Sequence, residues 1–286
     1  FDWPGRMNIV RYGMETWEDL FTQRQLTSLT TFSDLLKDAA MQVKADAVVA
    51  GLADDGVRLR DGGSGATAYS DAVVTYLAFA VDKCADYWST ICSWHNSKEL
   101  VRNTFGRQAI PMTWDFAECN PFSTSTGNWM AMVDWVHKAV RHLPAATSAP
   151  AVIVQRDARA RVLESPGAII STDPPYYDNI SYADLSDFFY VWLRRNLSDV
   201  WPDECATMLT PKAEEMIANR YRAGTKGAAE KHFESGMAEF MKEVVTAQHP
   251  SAPATVYYAY KATESKDGEL RSTGWDTFLQ AVLDAG

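Results

Sequence analysis

The chain has 286 residues, 47% hydrophobic and 22% charged, a globular composition long enough for one large domain or two smaller ones. No apolar run approaches the ~20 residues of a membrane-spanning helix, and the opening stretch "FDWPGRMNIV" has neither the basic start nor the apolar centre of a secretory signal. The net charge of −10 argues against a surface built throughout to neutralise nucleic-acid phosphates.

Residues 16–50 are expected to be mostly helical, with Leu26, Leu29, Phe32, Leu35 and Leu36 at helical spacing. The polar, glycine-rich "GLADDGVRLRDGGSGAT" (51–67) is a connection. From Ala66 to about Ser93 the pattern predicts a long helix, with Tyr69, Val73, Tyr76, Leu77, Ala80, Cys84 and Tyr87 on one face. Residues 103–129 are irregular and rich in aromatics. Another helix is expected over 129–143, stopped by Pro144.

Near residue 145 the texture changes. "AVIVQ" (151–155), "GAIIST" (167–172) and "ATVYYAYK" (254–261) read as strands. Helical patterns cover 181–196, 211–222, 229–247 and 274–286. Alternating strands and helices predict an α/β fold with a parallel sheet, whose ligands bind beyond the carboxyl ends of the strands. Residues 1–145 are expected to form a largely helical region and 146–286 the α/β part. The chain starts at Phe1 without a methionine and ends just after a helical pattern, so it reads as part of a longer protein.

Cys84, Cys92, Cys119 and Cys205 form no C-x-x-C pair, which argues against a zinc ribbon. They read as buried, reduced thiols of a cytoplasmic protein. The five histidines form no ligand pattern, and neither a Walker loop nor a G-x-S-x-G elbow is present. Basic clusters such as Arg156, Arg159 and Arg161, or Arg220, Arg222 and Lys226, read as solvated faces. "WDFAECNPFS" gathers Trp114, Asp115, Glu118 and Asn120, which suit pocket lining better than metal binding.

The richest stretch is "AIISTDPPYYDNISYADLSDFFYVWLRR" (168–195). Asp173 follows an apolar strand and should emerge at its carboxyl rim. Pro174 and Pro175 stiffen the turn and leave carbonyls that no proline N–H can satisfy. Tyr176 sets a flat ring beside the acid. The combination suits a planar amine, whose lone pair is delocalised into its ring. Asp173 and the Pro174 carbonyl would accept its two N–H bonds and draw the nitrogen toward a tetrahedral shape, so that the lone pair attacks a methyl group in line. Tyr176 would hold the base by stacking, worth roughly 1–3 kcal/mol. Tyr177, Asp178 and Asn179 are further rim candidates, and Trp114 and Asp115 are candidates for the same pocket. The plain alternative is a rigid strand-to-helix turn, with Ser181 and Asp184 as a capping box.

"DPPY" at a strand end resembles the catalytic motif of amino-methyltransferases. The longer string resembles the large prokaryotic adenine-specific DNA methylases that carry a conserved N-terminal domain of unknown function. The resemblance extends to "LFTQRQLTSLTTFSDL" (20–35), "GATAYSDAVVTYLAFAVDK" (65–83), "RQAIPMTWDFAECNPFS" (107–123) and "LTPKAEEM" (209–216). It implies a partial Rossmann-like S-adenosylmethionine-dependent methyltransferase sheet, a catalytic role for Asp173, Pro174, Pro175 and Tyr176, and methylation of the 6-amino group of adenine. Its implied partners are DNA and further subunits of a defence or modification system, with target recognition assigned to residues 1–145. Cytosine, RNA or a protein amide are alternative acceptors, and a non-catalytic DNA-binding subunit is the alternative role. The family's F-x-G-x-G cofactor loop is not found. "RDGGSGA" (60–66) follows polar residues rather than a strand and reads as a helix-leading loop. The resemblance places the cofactor loop upstream of Phe1.

Overall fold

The structure, a computed structural model, describes residues 6–143, 151–160, 167–178, 180–259, 263–264, 270–271 and 273–285. It is mixed α/β, about half helix, with only small sheets. The chain forms two compact units. One comprises residues 1–151 and 184–210; the other comprises 152–183 and 211–286.

In the first unit, helix α1 (Gln23–Val49) starts from a reciprocal cap: Thr22 Oγ1 accepts the Gln25 N–H, and Gln25 Oε1 accepts the Thr22 N–H at 2.7 Å. α1 packs against α2 (Ala66–Tyr87), which also packs against α3 (Trp129–Arg141). Leu29 and Leu36 are buried as expected, but Leu35 is exposed. Of the expected face of α2, Ala80, Cys84 and Tyr87 are buried, while Tyr69 and Tyr76 face solvent; the small residues Ala66, Ser70, Val74, Ala78, Val81 and Ala85 are buried as well. The expected face is thus buried only in part, and the buried surface is broader than it. Apolar residues occupy more than one side of this helix, and small residues are as readily buried as large ones.

α2 also ends earlier than its pattern predicts. The Thr90 N–H donates to Leu20 O at 2.7 Å, and the Asp86 carbonyl takes the Thr104 N–H at 2.7 Å. Both groups are thereby diverted from the helical ladder. A short hairpin follows, β1 (Ser93–His95) with β2 (Leu100–Arg102), antiparallel with Trp94 opposite Val101. Helix α4 (Tyr182–Leu197) buries Leu185, Phe188, Trp192 and Leu197; of the stripe its spacing predicts (Tyr182, Leu185, Phe188, Phe189, Trp192 and Leu193), Leu185, Phe188 and Trp192 are buried and Tyr182 is exposed. Phe188 sits among Trp17, Phe21, Phe105 and Phe189 at ring separations of 5.1–6.0 Å.

The second unit is built on α6 (Lys226–Ala247) and α7 (Thr273–Ala285), with Phe233, Met237, Met241, Phe278 and Ala281 at its centre. β3 (Ser171–Thr172) pairs in parallel with β4 (Thr255–Val256), Ser171 opposite Thr255. The amides of Thr255 and Tyr257 donate to Ile170 and Thr172 at 2.9 and 2.8 Å. β5 (Thr263–Glu264) and β6 (Leu270–Arg271) form an antiparallel pair.

Four expected elements are corrected. Residues 151–155 form no strand, and Val152 and Ile153 are 87% and 93% exposed: the apolar run finds no partner strand among the described residues. Over 211–222 only a short helix α5 (Arg220–Ala223) begins, where Asn219 caps it through the Tyr221 and Arg222 amides. The strand of 167–172 shrinks to a bridge at Ala168 and to β3, and that of 254–261 to β4, with 260–261 outside the described residues.

All four cysteines are free and buried. Among the described residues no helix is long and apolar enough to cross a membrane, and no group of three or more His, Cys, Asp or Glu is placed to hold a metal.

Candidate active site

β3 delivers Asp173 at its carboxyl end, beside a strand running in the same direction, which is where parallel sheets present ligand-binding loops. Asp173 is exposed and Pro174 is buried. The Tyr176 hydroxyl donates to Asp173 Oδ1 at 2.6 Å. Asp173 Oδ2 and the Pro174 carbonyl have no bonded donor among the described residues. The turn thus carries two unbonded acceptors, the exposed Asp173 Oδ2 and the carbonyl of the buried Pro174, next to a tyrosine that fixes the carboxylate. The bond to Asp173 also raises the Tyr176 phenol above its ordinary range.

Tyr177 turns the other way. Its φ of +23° is rare for a residue with a side chain. Such conformations cost about 1–3 kcal/mol and persist only where the surroundings over-determine them. Here they do. The Tyr177 N–H donates to Tyr258 Oη at 3.2 Å, its carbonyl accepts the Ala218 N–H at 2.8 Å, and its hydroxyl donates to Glu230 Oε1 at 3.1 Å. Its ring meets Phe233 edge-on at 5.2 Å. A Cβ on Gly274 would lie 2.9 Å from the Tyr177 Cβ, so the glycine makes room for it. Burial, then the bond to Glu230, pushes the Tyr177 phenol well up.

Tyr258 lies two residues beyond β4. Its ring stacks on Phe278 at 4.3 Å and 14°, and stands edge-on to Tyr176 at 5.4 Å and 77°. Its hydroxyl donates to the Gly274 carbonyl at 3.4 Å. Burial pushes its phenol up to about 12.

The sequence-predicted residues separate into three groups. Asp173, Pro174, Pro175 and Tyr176 stand together on one turn. Tyr177 and Asp178 follow on the same turn, Tyr177 directed to Glu230 and Phe233 and Asp178 exposed, while Asn179 lies outside the described residues. Trp114 and Asp115 belong to the other unit and are exposed, the Trp114 ring meeting Tyr12 at 5.1 Å. Of their neighbours, Glu118 is held by a bidentate pair with Arg24 at 2.6 Å, and Asn120 closes a local turn onto the Phe122 amide. Ser181 is buried and accepts from Asn219 at 2.9 Å, and the first-turn amide of Ala183 donates to Glu215. Tyr258, Glu230 and Gly274 were not singled out. The signal for Tyr258 was its place just past a strand, on the same rim as Asp173 once the two strands pair in parallel.

The glycine cluster does not fit a cofactor cradle. It leads into α2 from a 3-10 turn at Leu59–Asp61 rather than from a strand. A Cβ at Gly63 would fall 2.2 Å from the Val57 carbonyl oxygen, and one at Gly65 2.7 Å from that of Ala53. These glycines serve the loop's own close packing. No described segment supplies a strand, glycine loop and helix for a methyl donor.

Comparison of the chain with protein-family models, with curated proteins and with solved structures gives no match.

Proposed function

We propose that this chain carries the amine-gripping half of an adenine-specific DNA methyltransferase that uses S-adenosylmethionine. In this reading β3 and β4 belong to a Rossmann-like sheet, and the turn at Asp173–Tyr176 receives the 6-amino group of an adenine that has left the helix stack. The observation that supports it is the pair of acceptors with no bonded donor among the described residues, Asp173 Oδ2 and the Pro174 carbonyl, at the carboxyl end of a strand in a parallel pair. Asp173 accepts one N–H and Pro174 the other, which lowers the cost of charge developing on the nitrogen. Tyr176 fixes the carboxylate through its hydroxyl and offers its ring to the base. The chain's own residues bind and orient the amine; the donor's site is not among those described. In this reading the protein works in the cytoplasm of a prokaryotic cell, beside its DNA.

A second reading rests on the glycine cluster, which packs against its own loop. In that reading the chain is a DNA-binding or assembly subunit, and another chain supplies methyl transfer. Binding of labelled S-adenosylmethionine to the intact protein separates the two readings.

The decisive experiment expresses the intact gene and its Asp173→Ala variant in a host lacking adenine methylation, and measures N6-methyladenine in digested DNA by mass spectrometry. Methylation with the intact gene and its loss in the variant are expected. No methylated adenine from well-expressed intact protein would overturn the reading, and equal methylation in the variant would remove Asp173 from its role.

A further inference from the structure

We propose that Tyr258 is a positioning residue of the candidate site, holding through the Tyr177 amide the turn that pairs Tyr176 with Asp173. Its catalytic consequence rests on the reading above; its structural part does not. Among the described residues, Tyr258 is the one side chain bonded to the Tyr177 N–H and in ring contact with Tyr176, at 3.2 Å and 5.4 Å. Its own position is fixed from behind, by the stack on Phe278 and the bond to the Gly274 carbonyl. Gly274 and Phe278 both lie on α7, so that helix sets the turn without supplying a side chain to the acceptors.

The chain of contacts has a direction. α7 holds Tyr258, Tyr258 holds the Tyr177 amide, and Tyr177 keeps the positive φ that separates its ring from that of Tyr176. With Tyr177 committed to Glu230 and Phe233, Tyr176 is the tyrosine bonded to Asp173 among the described residues. Removing the Tyr258 hydroxyl keeps the stacked ring but leaves the Tyr177 amide without its acceptor. The turn then loses the bond that opposes relaxation of its strained residue.

The test uses Tyr258→Phe in the intact protein, with Tyr257→Phe as the control, because Tyr257 is 60% exposed. Two readouts are independent of activity. Exchange of the Tyr177 amide hydrogen is expected to rise about 10-fold or more as its opening becomes easier. The Tyr176 phenol, followed by NMR of ring-labelled tyrosine, is expected to titrate closer to its ordinary range as the bond to Asp173 loosens. The third readout is methylation, where kcat is expected to fall about 10-fold with KM within about twofold, the signature of lost orientation rather than lost binding. Gly274→Ala, which drives a methyl group toward the Tyr177 Cβ, is the second variant and is expected to produce the same two spectroscopic changes if Tyr258→Phe does not fold.

Unchanged exchange and titration in a folded variant would overturn the inference, whatever the activity. Changed exchange and titration support it, and if the wild-type protein then shows no methylation, only the functional reading falls.

Discussion

Asp187 in α4, 1% exposed, accepts both the N–H and the hydroxyl of Thr210, at 2.9 and 2.6 Å. The bond ties the helix after the proline turn to the string "LTPK", two stretches that the sequence shows only as separate islands. A buried carboxylate is acceptable when donors surround it, and each donor stranded by its removal costs energy in turn.

Asp187→Ala is therefore expected to destabilise the protein by about 2–3 kcal/mol, the cost of leaving buried groups unsatisfied. Thr210→Val, which keeps the N–H bond, should cost about 1 kcal/mol. Urea unfolding of both variants checks the order, and equal midpoints would contradict it.

Gly127 has φ +85°, and a Cβ there would lie 2.3 Å from Cys119 Sγ and 2.9 Å from its Cβ. Gly127→Ala combines backbone strain with overpacking and is expected to cost about 3 kcal/mol or more. Adding Cys119→Ala should recover part of the loss by removing the nearer atom. A double-mutant cycle with no coupling would refute the close approach.

Asp82 on α2 is buried, its Oδ1 has no hydrogen-bond partner among the described residues, and burial holds its carboxyl well above the usual range. A raised folded pKa gives stability that is present below the unfolded value of 3.8 and is lost as pH rises. Asp82→Asn lacks that loss. Its melting temperature should match the wild type near pH 3 and exceed it increasingly from pH 4 upward, with each 1 kcal/mol giving roughly 2–4 °C. A constant difference across this range would exclude the buried acid as the cause.

Local signals made much of the architecture legible. Helical spacing located α1, α3, α4, α6 and α7 because periodicity is carried within one segment. The core stripe Leu185, Phe188 and Trp192 was visible for the same reason. Strands were harder, because a strand exists only where another segment pairs with it. "AVIVQ" has the composition and no partner among the described residues, whereas "GAIIST" has β4. The same reason hid Tyr258, which meets Tyr177 across 81 positions of chain. The turn itself was readable since proline and aspartate chemistry is local; the residues that hold it were not.

Alkaline pH provides a further check. Burial pushes Tyr258 up to about 12, and Cys119 from 9.0 to about 12. For both groups the folded state holds the proton more tightly than the unfolded chain. Their contribution is complete below the unfolded pKa, about 9 for the thiol and about 10 for the phenol, and is lost as pH rises toward 12. Stability in urea should decline across that window, and the part between pH 10 and 12 should shrink in Tyr258→Phe. A flat profile from pH 9 to 12 would show that neither group is buried as described.

The two units are interleaved along the chain, and the crossing between residues 183 and 184 falls inside the continuous helix α4. Neither unit is therefore a single stretch that synthesis can complete before starting the other. The first unit cannot close until residue 210 has emerged, after the proline turn has already been made, and the second must wait for its last helix. A ribosome-bound chain stopped before residue 184 should leave Phe21 and Phe105, which pack on Phe188, more open to protease than in the finished chain, and equal protection there would contradict the division.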